Sequence, residues 1–173
     1  MAWSNAIRTI PNFPKEGILF RDITPVFTDP RSFSQLLDEL AAHVGDATHI
    51  AGIEARGFII GAALAQKVAL PFVAIRKAGK LPCDTVRASY ELEYGEAVIE
   101  VDATVLGPGD RVLIMDDLLA TGGSALAAAS LVEQLGASVS KVVCAIDLPD
   151  IGGSKRLEEK GYRFVGLLSF EGH

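Results

Sequence analysis

The stretch Val112-Leu113-Ile114-Met115-Asp116-Asp117 constrains this chain more than any other. Four consecutive apolar residues suit a parallel strand covered on both faces. Asp116-Asp117 is expected to end that strand. Thr121-Gly122-Gly123-Ser124 then leads into a helix from about Ala125 to Leu135, closed by Gly136. A buried strand that passes through a small-residue turn into a helix is the basic unit of an α/β domain. In open sheets of that class, ligands bind at the carboxyl ends of the strands.

The rest of the chain keeps the same rhythm of short apolar runs and helical patterns, which predicts a mostly parallel central sheet flanked by helices. Asp29-Pro30 opens a helix, with Phe33, Leu36, Leu37, Leu40, Ala41 and Val44 on its apolar face and Gly45 as its stop. Strands are expected at Thr48–Ile53, Pro71–Ile75, Ala97–Val101, Lys141–Ile146 and Phe164–Leu168, and helices at Phe58–Lys67 and Gly152–Lys160. Before Thr28 the segment carries Pro11, Pro14, Gly17 and Pro25. It reads as irregular after a short helix near Ser4–Ile10. Arg76–Glu96 is polar without a clear period, and loops of that length in compact domains are functional or mobile.

A chain of 173 residues fits one domain over 1–173. Its net charge of −6 argues against broad nucleic-acid binding. No basic, apolar leader opens the sequence and no apolar run reaches the ~18 residues of a membrane span. Cys83 and Cys144 lack metal-ligand spacing, and His43, His49 and His173 form no cluster, so a protein-held transition metal is not expected. These features together suggest a cytoplasmic protein with reduced thiols.

The turn after Asp117 has the chemistry of a phosphate seat. Backbone N–H groups at a helix start and the helix dipole attract an anion. Gly122 and Gly123 let that anion approach the main chain, and Thr121 and Ser124 add hydroxyls. Asp116 and Asp117 would repel phosphate. They suit the two hydroxyls of a sugar diol, or a hydrated Mg²⁺. A ribose 5-phosphate offers both features.

Two further segments carry anion chemistry. Glu54-Ala55-Arg56-Gly57 lies at another strand-to-helix junction, where backbone amides and the Arg56 guanidinium could hold a diphosphate. Arg76, Lys77 and Lys80 place three cations in five residues of an acidic chain, which points to one specific anion.

Taken together, these blocks resemble the type I phosphoribosyltransferase family. Asp116–Gly123 is similar to that family's phosphoribosyl-diphosphate motif. Three other blocks agree: Phe13-Pro14 with Gly17–Pro25, Gly52–Phe58, and Ile75–Pro82 with Ala88–Gly95. The likeness runs from about Ile10 to Phe170 with the motifs in the family's order, and it is nearest to the adenine-using branch.

The resemblance implies that branch's fold, with a small N-terminal hood over about residues 1–28 and a lid over about 76–96. It implies transfer of a 5-phosphoribosyl group from 5-phosphoribosyl 1-diphosphate to N9 of adenine, with Mg²⁺ as cofactor. Mg²⁺ would be held mainly by the substrate diphosphate, and by Asp116 through water. Glu54, Ala55, Arg56, Arg76, Lys77 and Lys80 would serve the pyrophosphate, with a cis peptide at Glu54–Ala55. Asp116, Asp117, Ala120, Thr121, Gly122, Gly123 and Ser124 would hold the ribose phosphate. The backbone near Leu19 and Arg21 would read adenine, with Phe20 and Leu148 on or near the ring. Glu93 matches the catalytic glutamate, and Tyr90 and Tyr94 could cover the site. A homodimer is implied, with no nucleic-acid or membrane partner. Transfer to hypoxanthine, guanine or xanthine remains the alternative, followed by a non-catalytic sensor of the sugar diphosphate.

Overall fold

Trp3 is fully buried and pins a 3-10 turn, Trp3–Ala6, onto the body of the protein in this computed structural model, which describes residues 3–92 and 95–171. An antiparallel hairpin follows, β1 (Arg8–Pro11) and β2 (Leu19–Asp22), with Arg8 opposite Asp22 and ion-paired to it at 2.6 Å. This corrects the helix expected at Ser4–Ile10 and the irregular segment expected before Thr28. A helix of seven residues has little stability of its own. Ser4–Ala6 keep a short 3-10 helix, Arg8–Ile10 gain a paired strand instead, and α1 (Thr24–Thr28) carries the chain onward.

Asp29 caps α2 (Pro30–Ala41) as expected, accepting from the backbone N–H groups of Arg31 and Ser32. The chain then alternates through β3 (His49–Ile53), α3 (Arg56–Val68) and β4 (Phe72–Lys77). Beyond β4, part of the stretch read as patternless is a strand, β5 (Thr85–Glu91), hydrogen-bonded to β6 (Glu96–Asp102). Val86, Ala88 and Tyr90 of β5 pack on the core, while Arg87, Ser89 and Glu91 face solvent. The remaining elements are β7 (Arg111–Leu119), α4 (Gly123–Gln134), β8 (Ser138–Asp147), a 3-10 turn at Pro149–Ile151, α5 (Gly153–Glu159) and β9 (Phe164–Ser169).

The strands form a seven-stranded sheet in the order β5-β6-β4-β3-β7-β8-β9. From β4 to β9 the neighbours are parallel, and β6 and β5 extend one edge antiparallel. The expected mostly parallel sheet with flanking helices is therefore what forms. Leu36 and Leu40 of α2 and Ile60 and Leu64 of α3 build the core on one face. Ala128, Leu131 and Val132 of α4 and Leu157 of α5 build it on the other. No helix among the described residues is long and apolar enough to cross a membrane.

One expectation about the sheet needs correction. Asp116 and Asp117 do not end β7, which continues to Leu119 because the ten-residue β8 keeps offering backbone partners, with Leu118 opposite Ile146 and Leu119 opposite Asp147. The two carboxylates thus sit inside the last paired turn of the strand, where they are held more rigidly than in a loop.

Candidate active site

The sheet order reverses between β3 and β7. From β3 the chain crosses to β4 on one side, whereas β7 lies on the other and leads to β8. The crevice beyond the carboxyl ends at such a switch point is where open α/β sheets take ligands. Here it is flanked by the segment after β3, Glu54–Gly57, and by Asp116–Ser124 from the end of β7.

The two sides are brought close by glycine. A Cβ on Gly57 would lie 2.8 Å from the Met115 carbonyl oxygen and 3.1 Å from Asp116 Oδ1. Across this contact, Arg56 Nε donates to Asp117 Oδ2. Asp117 is 4% exposed, whereas the Arg56 side chain is about half exposed. Partial burial works against the Arg56 cation, but the Asp117 bond and charge outweigh it, so the guanidinium is held protonated more firmly than a free arginine. Asp116 is half-buried beside it. Loss of hydration and the Asp117 carboxylate push its carboxyl well above the usual range.

An open cleft of about 480 Å³ is lined by Glu54, Ala55, Arg56, Lys77, Lys80, Asp116, Asp117 and Leu118. Seven of the residues singled out in the sequence therefore meet in one place. The Glu54–Ala55 peptide is cis, as the family likeness implies. Arg76 faces a different partner: it donates to both carboxylate oxygens of Glu54, at 3.1 and 3.3 Å, and to the Lys80 carbonyl at 3.2 Å. Glu54 also accepts from the Lys77 backbone N–H at 3.1 Å. The Arg76 bonds, opposed by some burial and helped by Lys77, lower the Glu54 pKa. Glu54 thus fixes cations at the cleft edge and offers an anionic ligand nothing itself.

The turn after β7 is shaped by the start of α5. Gly153 donates to the Ala120 carbonyl at 2.9 Å, and Arg156 Nη1 donates to the Thr121 carbonyl at 2.8 Å. Gly122 caps α4 with φ +78, a conformation that favours glycine. Thr121 and Gly123 line a second cavity of about 810 Å³ together with Tyr90, Glu91 and Arg156. Tyr90 closes over the turn: a Cβ on Gly123 would lie 3.1 Å from its ring. Ser124 stands in the first turn of α4, where backbone N–H groups lack helical partners.

Leu19, Phe20 and Arg21 lie on β2, outside both cavities. Phe20 packs edge-on against Phe13 at 5.2 Å, and Arg21 stacks over Phe170 at 4.5 Å. Phe170 in turn donates its N–H to the Asp147 carbonyl, next to Leu148 at the end of β8. Phe170 therefore links Arg21 of the hairpin to Asp147, the residue before Leu148. Glu93 and Tyr94 lie outside the described residues.

Sequence reasoning missed Arg156, Leu118 and Phe170. Arg156 and Phe170 are isolated residues that only the tertiary fold brings near the site, whereas Leu118 stands inside the Asp116–Gly123 block and, as a lone apolar residue, drew no role. As for a metal, no group of three or more His, Cys, Asp or Glu side chains among the described residues could hold one, and the Asp116 oxygens on the cleft wall fit only a water-mediated contact to a hard cation delivered with an anionic substrate.

The cleft combines the Arg56, Lys77 and Lys80 cations with the Asp116 and Asp117 carboxylates, and the helix-start turn that follows β7 opens on the second cavity through Thr121 and Gly123. Cations and helix-start amides suit phosphate-type groups, and the carboxylates suit hydroxyls. Comparison with known proteins agrees. The model of the phosphoribosyl transferase domain matches residues 27–168. The adenine phosphoribosyltransferase of Chlorobium phaeobacteroides is 51% identical over 99% of each chain. That of Methylorubrum populi is 51% identical over 99% of this chain and 96% of its own. Among solved structures, adenine phosphoribosyltransferase from Thermoanaerobacter pseudethanolicus superposes with a TM-score of 0.92 at 43% identity, covering 98% of both chains. The Saccharomyces cerevisiae enzyme, solved with an imino-altritol bisphosphate and adenine, has a TM-score of 0.92 at 39% identity, covering 96% of this chain and 97% of its own.

Proposed function

The chain belongs to the phosphoribosyl transferase family, and from that premise we propose that it is an adenine phosphoribosyltransferase of purine salvage. It transfers the 5-phosphoribosyl group of 5-phosphoribosyl 1-diphosphate to N9 of adenine and releases AMP and pyrophosphate. The observation that carries this reading is the convergence of Arg56, Lys77, Lys80, Asp116 and Asp117 on one cleft at the switch point of the sheet.

The 5-phosphate lies on the turn Ala120–Ser124, where helix-start amides stabilise it. Asp116 and Asp117 accept hydrogen bonds from the ribose hydroxyls. Arg56, Lys77 and Lys80 receive the pyrophosphate, and Arg76 joins them from its place on Glu54. As the C1–O bond breaks, the ribose gains oxocarbenium character and the leaving group gains charge, and these cations are placed to stabilise it. When bound with the substrate diphosphate, Mg²⁺ would add charge neutralisation there, and Asp116 would hold it through water. Adenine is read by the backbone of Leu19 and Arg21, with Phe20 and Leu148 beside the ring. Glu93 assists departure of the N9 proton. The lid, about 76–96, excludes water that would otherwise capture the cation.

On this reading residues 1–173 work as one domain with a hood over about 1–28, acting as a cytoplasmic homodimer on small-molecule substrates. The family likeness supports the dimer, and the two free cysteines fit a reducing compartment. The test is turnover with phosphoribosyl diphosphate and Mg²⁺ on adenine, run beside hypoxanthine, guanine and xanthine. AMP from adenine alone is expected. Product from another base and none from adenine would overturn the base assignment.

A further inference from the structure

Glu100 sits in the middle of β6 and is 1% exposed. Its carboxylate is filled by donors. Oε1 accepts from the backbone N–H groups of Lys80 at 3.0 Å and Leu81 at 3.1 Å. Oε2 accepts from Thr85 Oγ1 at 3.2 Å and Arg87 Nε at 3.1 Å. The connection between β4 and β5 is thus wound around one buried anion.

That connection carries Lys80 to the cleft. The Lys80 N–H is held by Glu100 and its carbonyl by Arg76, which is itself clamped by Glu54. Sheet register places Arg76 and Arg87 opposite Glu100 on its two neighbouring strands. The buried carboxylate therefore ties β6 to β5, to the base of the lid and to the backbone of a cleft lysine, whose carbonyl carries the link on to Arg76 of β4. A carboxylate so rich in backbone donors stays ionised, and burial alone would have favoured an apolar residue here.

We infer that Glu100 is a positioning residue for diphosphate binding, acting through the backbone of Gly79–Leu81 to hold Lys80 at the cleft. This rests on the reading of Lys80 as a diphosphate ligand. Glutamine at this position keeps one acceptor oxygen but turns a donor amide towards either the backbone N–H groups or Arg87. Either choice breaks half of the arrangement.

A double-mutant cycle tests it. Initial rates are measured for the wild type, E100Q, K80A and the double variant, with both substrates varied. E100Q is expected to raise KM for phosphoribosyl diphosphate about fivefold or more and leave KM for adenine unchanged. In the K80A background the same substitution should add little. Effects that add in full, or equal changes in both KM values, would overturn the proposal. If E100Q does not fold, E100D enters the same cycle with the same criterion. Titration of inorganic pyrophosphate repeats the cycle without turnover. A wild type that makes no AMP then counts against the function, while an additive cycle counts against Glu100.

Discussion

Arg56 at the start of α3 and Asp117 within β7 form an ion pair that bridges the two strand ends at the switch point of the sheet. Each is therefore preset by the other before any substrate arrives. D117N keeps the shape and loses the charge. Its KM for phosphoribosyl diphosphate is expected to rise about tenfold, equivalent to ~1.4 kcal/mol. Stability by urea denaturation should fall by only about 1 kcal/mol, since the half-exposed Arg56 regains water. Unchanged kinetics would remove Asp117 from the site.

Asp116 behaves in the opposite sense. Its folded pKa lies above that of the unfolded chain, so between the two values the folded state binds more protons. Stability is then full below the unfolded value and declines as pH rises through the folded one. D116N should accordingly melt higher than the wild type at pH 7 while binding phosphoribosyl diphosphate more weakly. A lower melting temperature would show that the carboxylate stabilises the fold.

Much of this was legible in the sequence because it is local. The apolar run into Asp116-Asp117, the Gly122-Gly123 turn and the Asp29 cap each carry their instruction within a few residues, and the sheet uses them as read. The far end of β7 was not legible: two carboxylates look like a strand terminus until β8 is known to continue beside them. β5 was hidden for a related reason. Val86, Ala88 and Tyr90 do alternate with Arg87, Ser89 and Glu91, but the apolar half is too small to stand out until α4 lies beneath it. Glu100 carried no signal at all, since its partners come from the β4–β5 connection and β5, 13 to 20 positions away.

Glu100 also predicts an acid limb. Burial works against its charge, yet the backbone N–H groups of Leu81, Gly79 and Lys80 and the Thr85 hydroxyl hold the pKa down to about 2 from 4.5. A lowered carboxylate contributes stability above the unfolded value, and that contribution is lost as pH falls towards the folded one. It amounts to something on the order of 3 kcal/mol. Urea midpoints should drop for the wild type from pH 6 to pH 3, and the drop should be visibly smaller for E100Q. Parallel curves would place the acid limb elsewhere.

The turn Ala120–Ser124, proposed to seat the phosphate, should be sensitive to a single methyl group in α5. A Cβ on Gly153 would lie 2.3 Å from the Ala120 carbonyl oxygen and 2.8 Å from the Gly122 nitrogen. G153A is expected to cost about 1–3 kcal/mol and to weaken AMP binding, because backbone must move to make room. Gly107 has no neighbour within 4 Å of the same position, so G107A serves as the control and should change neither. Calorimetric melts and an AMP titration read both effects.

The most direct measurement is a crystal structure of the protein soaked with AMP. The phosphate should lie on the amides of Thr121–Ser124, the ribose hydroxyls on Asp116 and Asp117, and the base towards Leu19–Arg21 and Leu148. Phosphate bound instead among Arg56, Lys77 and Lys80, with the ribose away from both aspartates, would contradict this arrangement of the site.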